Sequence, residues 1–536
     1  MRQMARRGLN DRNSECDLKD LESKEETDFA ITSLKSVDSA VNGLKGGSKL
    51  WFGKDYVNFI VKDFVELNQP FKDFVDRNSV PRMPWHDLGC MVVGAAARDV
   101  ARHFIERWNF TKFEKAKFND TYPWLIPKAY SNVDQIKAPK SLLRGAPVSC
   151  QVVRSGSDWS IGIKRTDTSI LSAYIDLINN AKHYVYIENQ FFITQCKSPP
   201  LDPSEVVINP IGEALYHRII RAFRDGQKFR VFILFPLLPA FEGMSHLFDN
   251  KKKNPIHVSF LSLSGEIGTS RGVAIQAITH YNYATICRGN HSLLSRLRRE
   301  VGDPFQYISF YGLRNHSLLH GKDVTELVYV HRFADICLSL YRNSFISNFI
   351  SKFFSKLLLI DDNKAIIGSS NINDRSMLGF RDSEVGVVLS DQEFESSLMN
   401  GQPYQSGKFC GSLRRTLFRE HLGLFDDKNK AQEVDIKDPI SDKFYKDIWM
   451  STAAKNSALY ERVFPVVPTD EVKTFGQLRE YLHKPKLINT DQTEARKCLD
   501  RIRGHLVLMP LHFLIDEDLT PAWGTGEKLM PATLWT

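Results

Sequence analysis

At 536 residues, 42% hydrophobic and 25% charged, the chain has an ordinary globular composition and room for roughly two to four domain-sized units. Its net charge of +8 is mild, favouring approach to anionic surfaces without demanding nucleic acid. Eight cysteines without a CxxC pair argue against a zinc site or a disulfide scaffold. No apolar core follows the basic N-terminal residues and no apolar run can span a bilayer, so the expectation is an intracellular protein, soluble or membrane-peripheral.

Residues 1–48 mix charges with Ser, Asn and Gly and read as a poorly ordered leader. A helix follows over Ala96–Lys112, where Ala97, Val100, Phe104 and Trp108 form a stripe expected to face a core. His86 and His103 there are expected to be structural. Residues 113–148 read as a connecting loop. Strands and helices then alternate: Cys150–Ser155, a helix near Ser169–Ala181, His183–Phe192, a helix near Ile211–Arg224, and Phe229–Pro236. Continuous apolar strands with helices between them predict a largely parallel sheet buried on both faces. Glu188, Asn189 and Gln190, at the end of the His183 strand, either line a site or satisfy strand-end backbone groups.

Two helices near Ala274–Cys287 and Ser292–Val301 precede a strand at Tyr307–Leu313 and another in ELVYVH, ending at His331. The most informative stretch is Lys356–Arg375, KLLLIDDNKAIIGSSNINDR. Leu357–Ile360 and Ala365–Ile367 read as two short buried strands around the polar turn Asp362-Asn363. The second strand empties into a Gly/Ser/Asn loop whose donors can face an anionic oxygen. A lysine heading one strand, with that loop at the foot of the next, would cradle a phosphate. Beyond it come a strand within Met377–Asp391 and an amphipathic stretch at Ser412–Leu424.

The spacing of Lys356, Asp361, Gly368, Ser369 and Asn371 resembles the phospholipase D superfamily signature, His-x-Lys-x4-Asp-x6-Gly-Ser-x-Asn. Phe354 stands where the histidine belongs. Joining Tyr329-Val330-His331 directly to Ser355-Lys356 restores the pattern, so 332–354 reads as an insertion of the kind an unspliced segment would leave. A second insertion, near 244–264, resembles it. The likeness to eukaryotic phospholipase D extends through LWFGKDY, VPRMPWHDLG, IENQFF and the closing Trp535-Thr536.

That resemblance implies an α/β lobe with a central, mostly parallel mixed sheet flanked by helices on both faces. It would span 49–436, with 437–536 a helical extension packed on it. It also implies hydrolysis of phosphatidylcholine to phosphatidic acid and choline through two facing signatures. One histidine forms a phosphohistidine and the other acts as acid and base. By position this is the second signature. His331 would be the acid/base, Lys356 and Asn371 the phosphate clamp, and Ser369 an assistant. Glu384 would orient an imidazole, and Asp361 would hold the strand–loop geometry. No cofactor is required. Arg218, Arg221, Arg224, Lys228 and Arg230 correspond to a phosphoinositide-binding patch, with phosphatidylinositol bisphosphate as activator. A phospholipid membrane surface and small GTPases are the implied partners, nucleic acid is not, and the implied location is cytoplasmic, peripheral on membranes. No first signature is legible in these residues; His320-Gly321-Lys322 fails because position 327 is Leu327. An inactive fragment that still binds phosphoinositide or proteins is therefore a second reading. A site shared across a dimer is a third, disfavoured because the exposed face would match a different lobe.

Overall fold

The computed structural model describes residues 85–131, 146–195, 207–239, 273–319, 322–326, 352–353, 355–425, 434–520 and 536. The leader, the 244–264 segment, His331 and most of 332–354 lie outside the described residues.

A nine-stranded sheet organises the chain: β1 (Val148–Gly156), β2 (Asp167–Thr168), β3 (Tyr184–Glu188), β4 (Arg230–Leu234), β5 (Ile308–Leu313), β6 (Leu357–Ile360), β7 (Lys364–Gly368), β8 (Glu384–Asp391) and β9 (Leu506–Leu508), in the spatial order β9-β5-β4-β3-β6-β7-β8-β1-β2. The mixed α/β class holds, but the parallel emphasis does not. Only β3–β4 and β4–β5 pair in parallel, and every other neighbouring pair is antiparallel. Continuous apolar runs report burial on both faces, not strand direction. Here β6 and β7 are a tight hairpin buried on both faces.

The parallel part follows the expected alternation. Helices α1 (Ala95–Lys115), α2 (Ser169–Asn180), α3 (Ile211–Arg224), α4 (Val273–Ile286) and α5 (Leu293–Val301) precede α6 (Lys408–His421) and α7 (Ser451–Val463). In α3, Ile211, Leu215 and Ile219 recur every four residues and point inward. With α2 and α5 they cover the sheet face formed by Val185, Ile187, Val231, Ile233, Leu358 and Ile366. The opposite face presents Tyr184, Tyr186, Phe232, Leu357, Leu359 and Ile367 to α6 and to Trp449. Phe418 of α6 lies 4.4 Å from the Trp449 ring, and Phe232 lies 5.6 Å from it, centroid to centroid.

Two expectations change. The stripe on α1 does not face a core: Phe104 is 57% exposed, whereas His103 is buried. The helix leans on the sheet through its polar side, where Glu106 pairs with Arg154 of β1. Burial and the nearby Arg154 and Arg107 charges push the His103 imidazole below its usual range, as suits a packed structural histidine. Residues 437–536 are also more than a helical layer, because β9 joins the central sheet beside β5 and the Arg314 amide donates to the His505 carbonyl (2.8 Å). Among the described residues, no helix is long and apolar enough to cross a membrane.

Candidate active site

The β6–β7 hairpin gives the signature spacing its meaning. Four residues make β6, the turn runs through Asp361–Asn363, and β7 returns antiparallel, so Leu357 faces Ile367 and the Gly368 amide donates to the Lys356 carbonyl (3.2 Å). Asp361 and Asp362 take left-handed backbone angles (φ 52° and 53°), which tighten the turn. Gly368 faces Gly386 of β8; a Cβ at 368 would stand 2.7 Å from the Gly386 Cα and from the Val385 carbonyl, so only glycine allows this approach.

This meander collects polar groups at one end of the sheet. Lys356 enters β6 there, Gln190 follows β3, Ser369 and Asn371 follow β7, and Glu384 opens β8. Lys356 is 8% exposed and its Nζ lies 3.4 Å from Gln190 Oε1. Burial pushes the ammonium down to about 8, while the Asp87 and Glu384 charges act in the opposite direction. Ser369 donates to Glu384 Oε2 (2.5 Å), and Ser376 donates to Oε1 (2.8 Å). Burial raises the Glu384 carboxyl against those two hydroxyls and the Lys356 charge. Among the described residues, the buried side-chain oxygen of Asn371 has no hydrogen-bond partner. An amide in that state can turn either its carbonyl or its NH2 toward a ligand.

Asp361 lies at the other end of β6, five residues and about 17 Å from Lys356. Its carboxylate accepts the backbone N–H groups of Lys182 (2.7 Å), His183 (2.8 Å) and Tyr184 (2.8 Å), which pins the start of β3. At that distance from Lys356, the Asp361 oxygens are engaged by these backbone amides of the strand–loop junction. Asp362 beside it is fully buried and accepts Arg414 Nε (2.6 Å) and Nη2 (2.8 Å), with Tyr184 Oη at 2.6 Å.

The IENQFF residues divide three ways. Asn189 accepts the amides of Ile372 (3.0 Å) and Phe191 (3.3 Å) and so serves the backbone. Glu188 turns to the opposite face, where His421 Nε2 lies 3.0 Å from its Oε1. Gln190 reaches Lys356. The five basic residues do not form one exposed patch. Arg218 is 2% exposed; its guanidinium donates to the Ala181 and Lys182 carbonyls and stacks 4.0 Å from the Phe229 ring. Arg230 is buried and pairs with Asp442 (2.8 Å), which Lys228 also contacts (2.8 Å). Arg221 and Arg224 are exposed at the end of α3, with Arg221 donating to the Asn179 carbonyl. Sequence reasoning missed Ser376 and Arg414. A serine in a short helix and an arginine in an amphipathic one carry no spacing signal. Among the described residues, no group of three or more His, Cys, Asp or Glu side chains could hold a metal ion.

A buried lysine, a glycine-dependent Ser/Asn loop and a hydroxyl-held carboxylate at one end of a mixed sheet define a cluster suited to an oxyanion. The family model described as phospholipase D matches residues 60–247 and 249–462, and the chain belongs to that family. It is 46% identical over 506 residues to Phospholipase D1 of Mus musculus, covering 94% of this chain and 42% of that protein. Phospholipase D2 of Bos taurus is 42% identical over 488 residues, covering 91% of this chain and 46% of that protein. The chain thus spans less than half the length of these relatives. Among solved structures, NucT from Helicobacter pylori overlaps 46% of this chain and 87% of its own at 10% identity and a TM-score of 0.21.

Proposed function

We propose that the chain supplies the second half of a phospholipase D centre that hydrolyses phosphatidylcholine to phosphatidic acid and choline. The observation that carries this reading is the buried Lys356 ammonium at the strand end shared with Ser369, Asn371 and Glu384. A desolvated cation has more to gain from a phosphoryl oxygen than an exposed one. Lys356 and the Asn371 amide hold the phosphoryl oxygens in this scheme. Ser369, already donating to Glu384, keeps that carboxylate fixed. His331 protonates the leaving alcohol and then deprotonates the water that resolves a phosphohistidine formed on the partner signature. The substrate places the protein on a phospholipid surface. Phosphoinositide recognition by α3 would fall to the exposed Arg221 and Arg224; small GTPases remain the regulators that the family likeness suggests.

The test is choline release from phosphatidylcholine vesicles by the 536-residue chain, alone and mixed with a separately expressed lobe carrying a first signature. Release should require the added lobe and should vanish in Lys356→Ala and His331→Ala. Release that persists in Lys356→Ala would refute the assignment.

A further inference from the structure

An open cavity of about 510 Å³ lies between α7, the β5–β9 edge and the loop around Pro468. None of the strand-end site residues lines it. Arg314, which follows β5, is separated from β6 by β4 and β3, about 14 Å across the sheet at ordinary strand spacing. The volume falls within the range of small-molecule sites, about 300–1,000 Å³. Its inner wall is apolar, with Leu237, Phe310, Val466 and Val507 all buried.

Arg314 is the buried cation on that wall, which also carries the buried hydroxyl residues Ser309 and Thr469. It is 3% exposed, and its guanidinium donates to the Val467 carbonyl at 3.3 Å. Among the described residues no carboxylate forms an ion pair with it; the Tyr460 ring lies 5.9 Å away. Burial pushes the group down to about 10, with Glu461 the one carboxylate that acts in the opposite direction. A buried cation without a paired anion is costly, and an arriving oxyanion would relieve that cost. The mouth has the opposite sign. Asp470 and Glu471 are exposed there and Glu461 is half-buried. Each is already engaged: Glu461 accepts the Thr469 hydroxyl (2.7 Å), Asp470 accepts the His512 amide (2.7 Å), and Glu471 lies 4.0 Å from Lys486. The His512 imidazole lies 3.8 Å from Asp470 at that rim. An acidic mouth over a cationic floor disfavours polyanions and admits a single negative charge carried on an apolar body.

We propose that this cavity binds a small amphiphile with one anionic oxyanion head, such as a medium-chain carboxylate, seated on Arg314. Its apolar body would lie against Phe310 and Val507, and α7 would close one side through the small residues Ala454 and Ala458. The proposal stands on the cavity alone and is independent of the phosphodiesterase reading.

The test is calorimetric titration of the full 536-residue chain with octanoate, octanol and octylammonium. Octanoate should bind saturably at one site, and octanol about ten- to a hundredfold more weakly, the range expected when a charged hydrogen-bonded contact is lost. Octylammonium should be weaker still. Arg314→Met should bring octanoate to the octanol level, and Arg314→Lys should recover most of the difference. Octanol or octylammonium binding as tightly as octanoate, or no octanoate binding at all, would overturn the proposal. Should Arg314→Met fail to fold, Ala458→Phe serves instead. It fills the cavity from an exposed helix position, so unchanged octanoate affinity in that variant would overturn the proposal equally.

Discussion

Replacing Asp361 separates architecture from chemistry within the signature. In Asp361→Ala, three amide donors at the start of β3 lose acceptors held at 2.7–2.8 Å. A buried donor left unsatisfied costs about 1–3 kcal/mol. Burial pushes the Asp361 carboxyl upward against those same donors and the His183 charge, so removing the carboxylate also relieves some desolvation. The net loss should be roughly 3–6 kcal/mol, a large share of a domain's typical 5–15 kcal/mol. Asp361→Asn is the better reagent: its one acceptor oxygen can serve two amides while its NH2 opposes the third. A loss of about 2 kcal/mol is expected, read as a lowered urea midpoint. Sulfate, a tetrahedral oxyanion without a proton near neutral pH, should bind the folded fraction of Asp361→Asn with unchanged affinity. The reasoning fails if Asp361→Asn melts like the parent but has lost sulfate, since the carboxylate would then act at the site.

Lys356 gives a pH signature. Its ammonium titrates near 8 in the folded chain against a usual 10.5, so sulfate affinity should fall as pH rises through about 8. Between those values the unfolded chain binds more protons, so stability should rise with pH there, and Lys356→Met should abolish both trends in titration and urea unfolding. Arg414→Met should destabilise by about 3–5 kcal/mol, because it strands a buried carboxylate. Burial raises the Asp362 carboxyl, but the Arg414 charge and hydrogen bonds outweigh it and hold it below its ordinary value. The parent's gain from this pair is present above the usual carboxylate range and lost as pH falls through the lowered folded value. Thermal melts from pH 7 downward should therefore converge for parent and variant, and a gap independent of pH would contradict this account.

The hairpin was legible because its signals are local. Leu357–Ile360 and Ala365–Ile367 are apolar runs of strand length around a polar turn, and Gly368 follows where the chain needs a residue without a side chain. Strand direction was not legible, since β6 and β3 meet antiparallel through residues about 170 positions apart. The α1 stripe misled because hydrophobic periodicity marks an apolar face without naming what covers it. Phe104 stays exposed while His103 is buried and Glu106 pairs with Arg154 of the sheet. The basic residues misled for a related reason: Arg218 and Arg230 read as surface charge, yet carbonyls and Asp442 hold them inside.

The signature mixes two codes. Asp361 and Gly368 serve the backbone, one by collecting amides and the other by admitting β8. Lys356, Ser369 and Asn371 serve the strand-end cluster about 17 Å from Asp361. The spacings bind the two together, since four residues fix the length of β6 and six more fix the turn and the return. One residue added within Leu357–Ile360 would slip the strand by a position. Leu358, which packs toward α2 and α3, would then exchange faces with Leu357, and Lys356 would leave the end it shares with Gln190. The buried faces of β6 are thus what hold the lysine in place, and the apolar residues between Lys356 and Asp361 are as much a part of the site as the charges they separate.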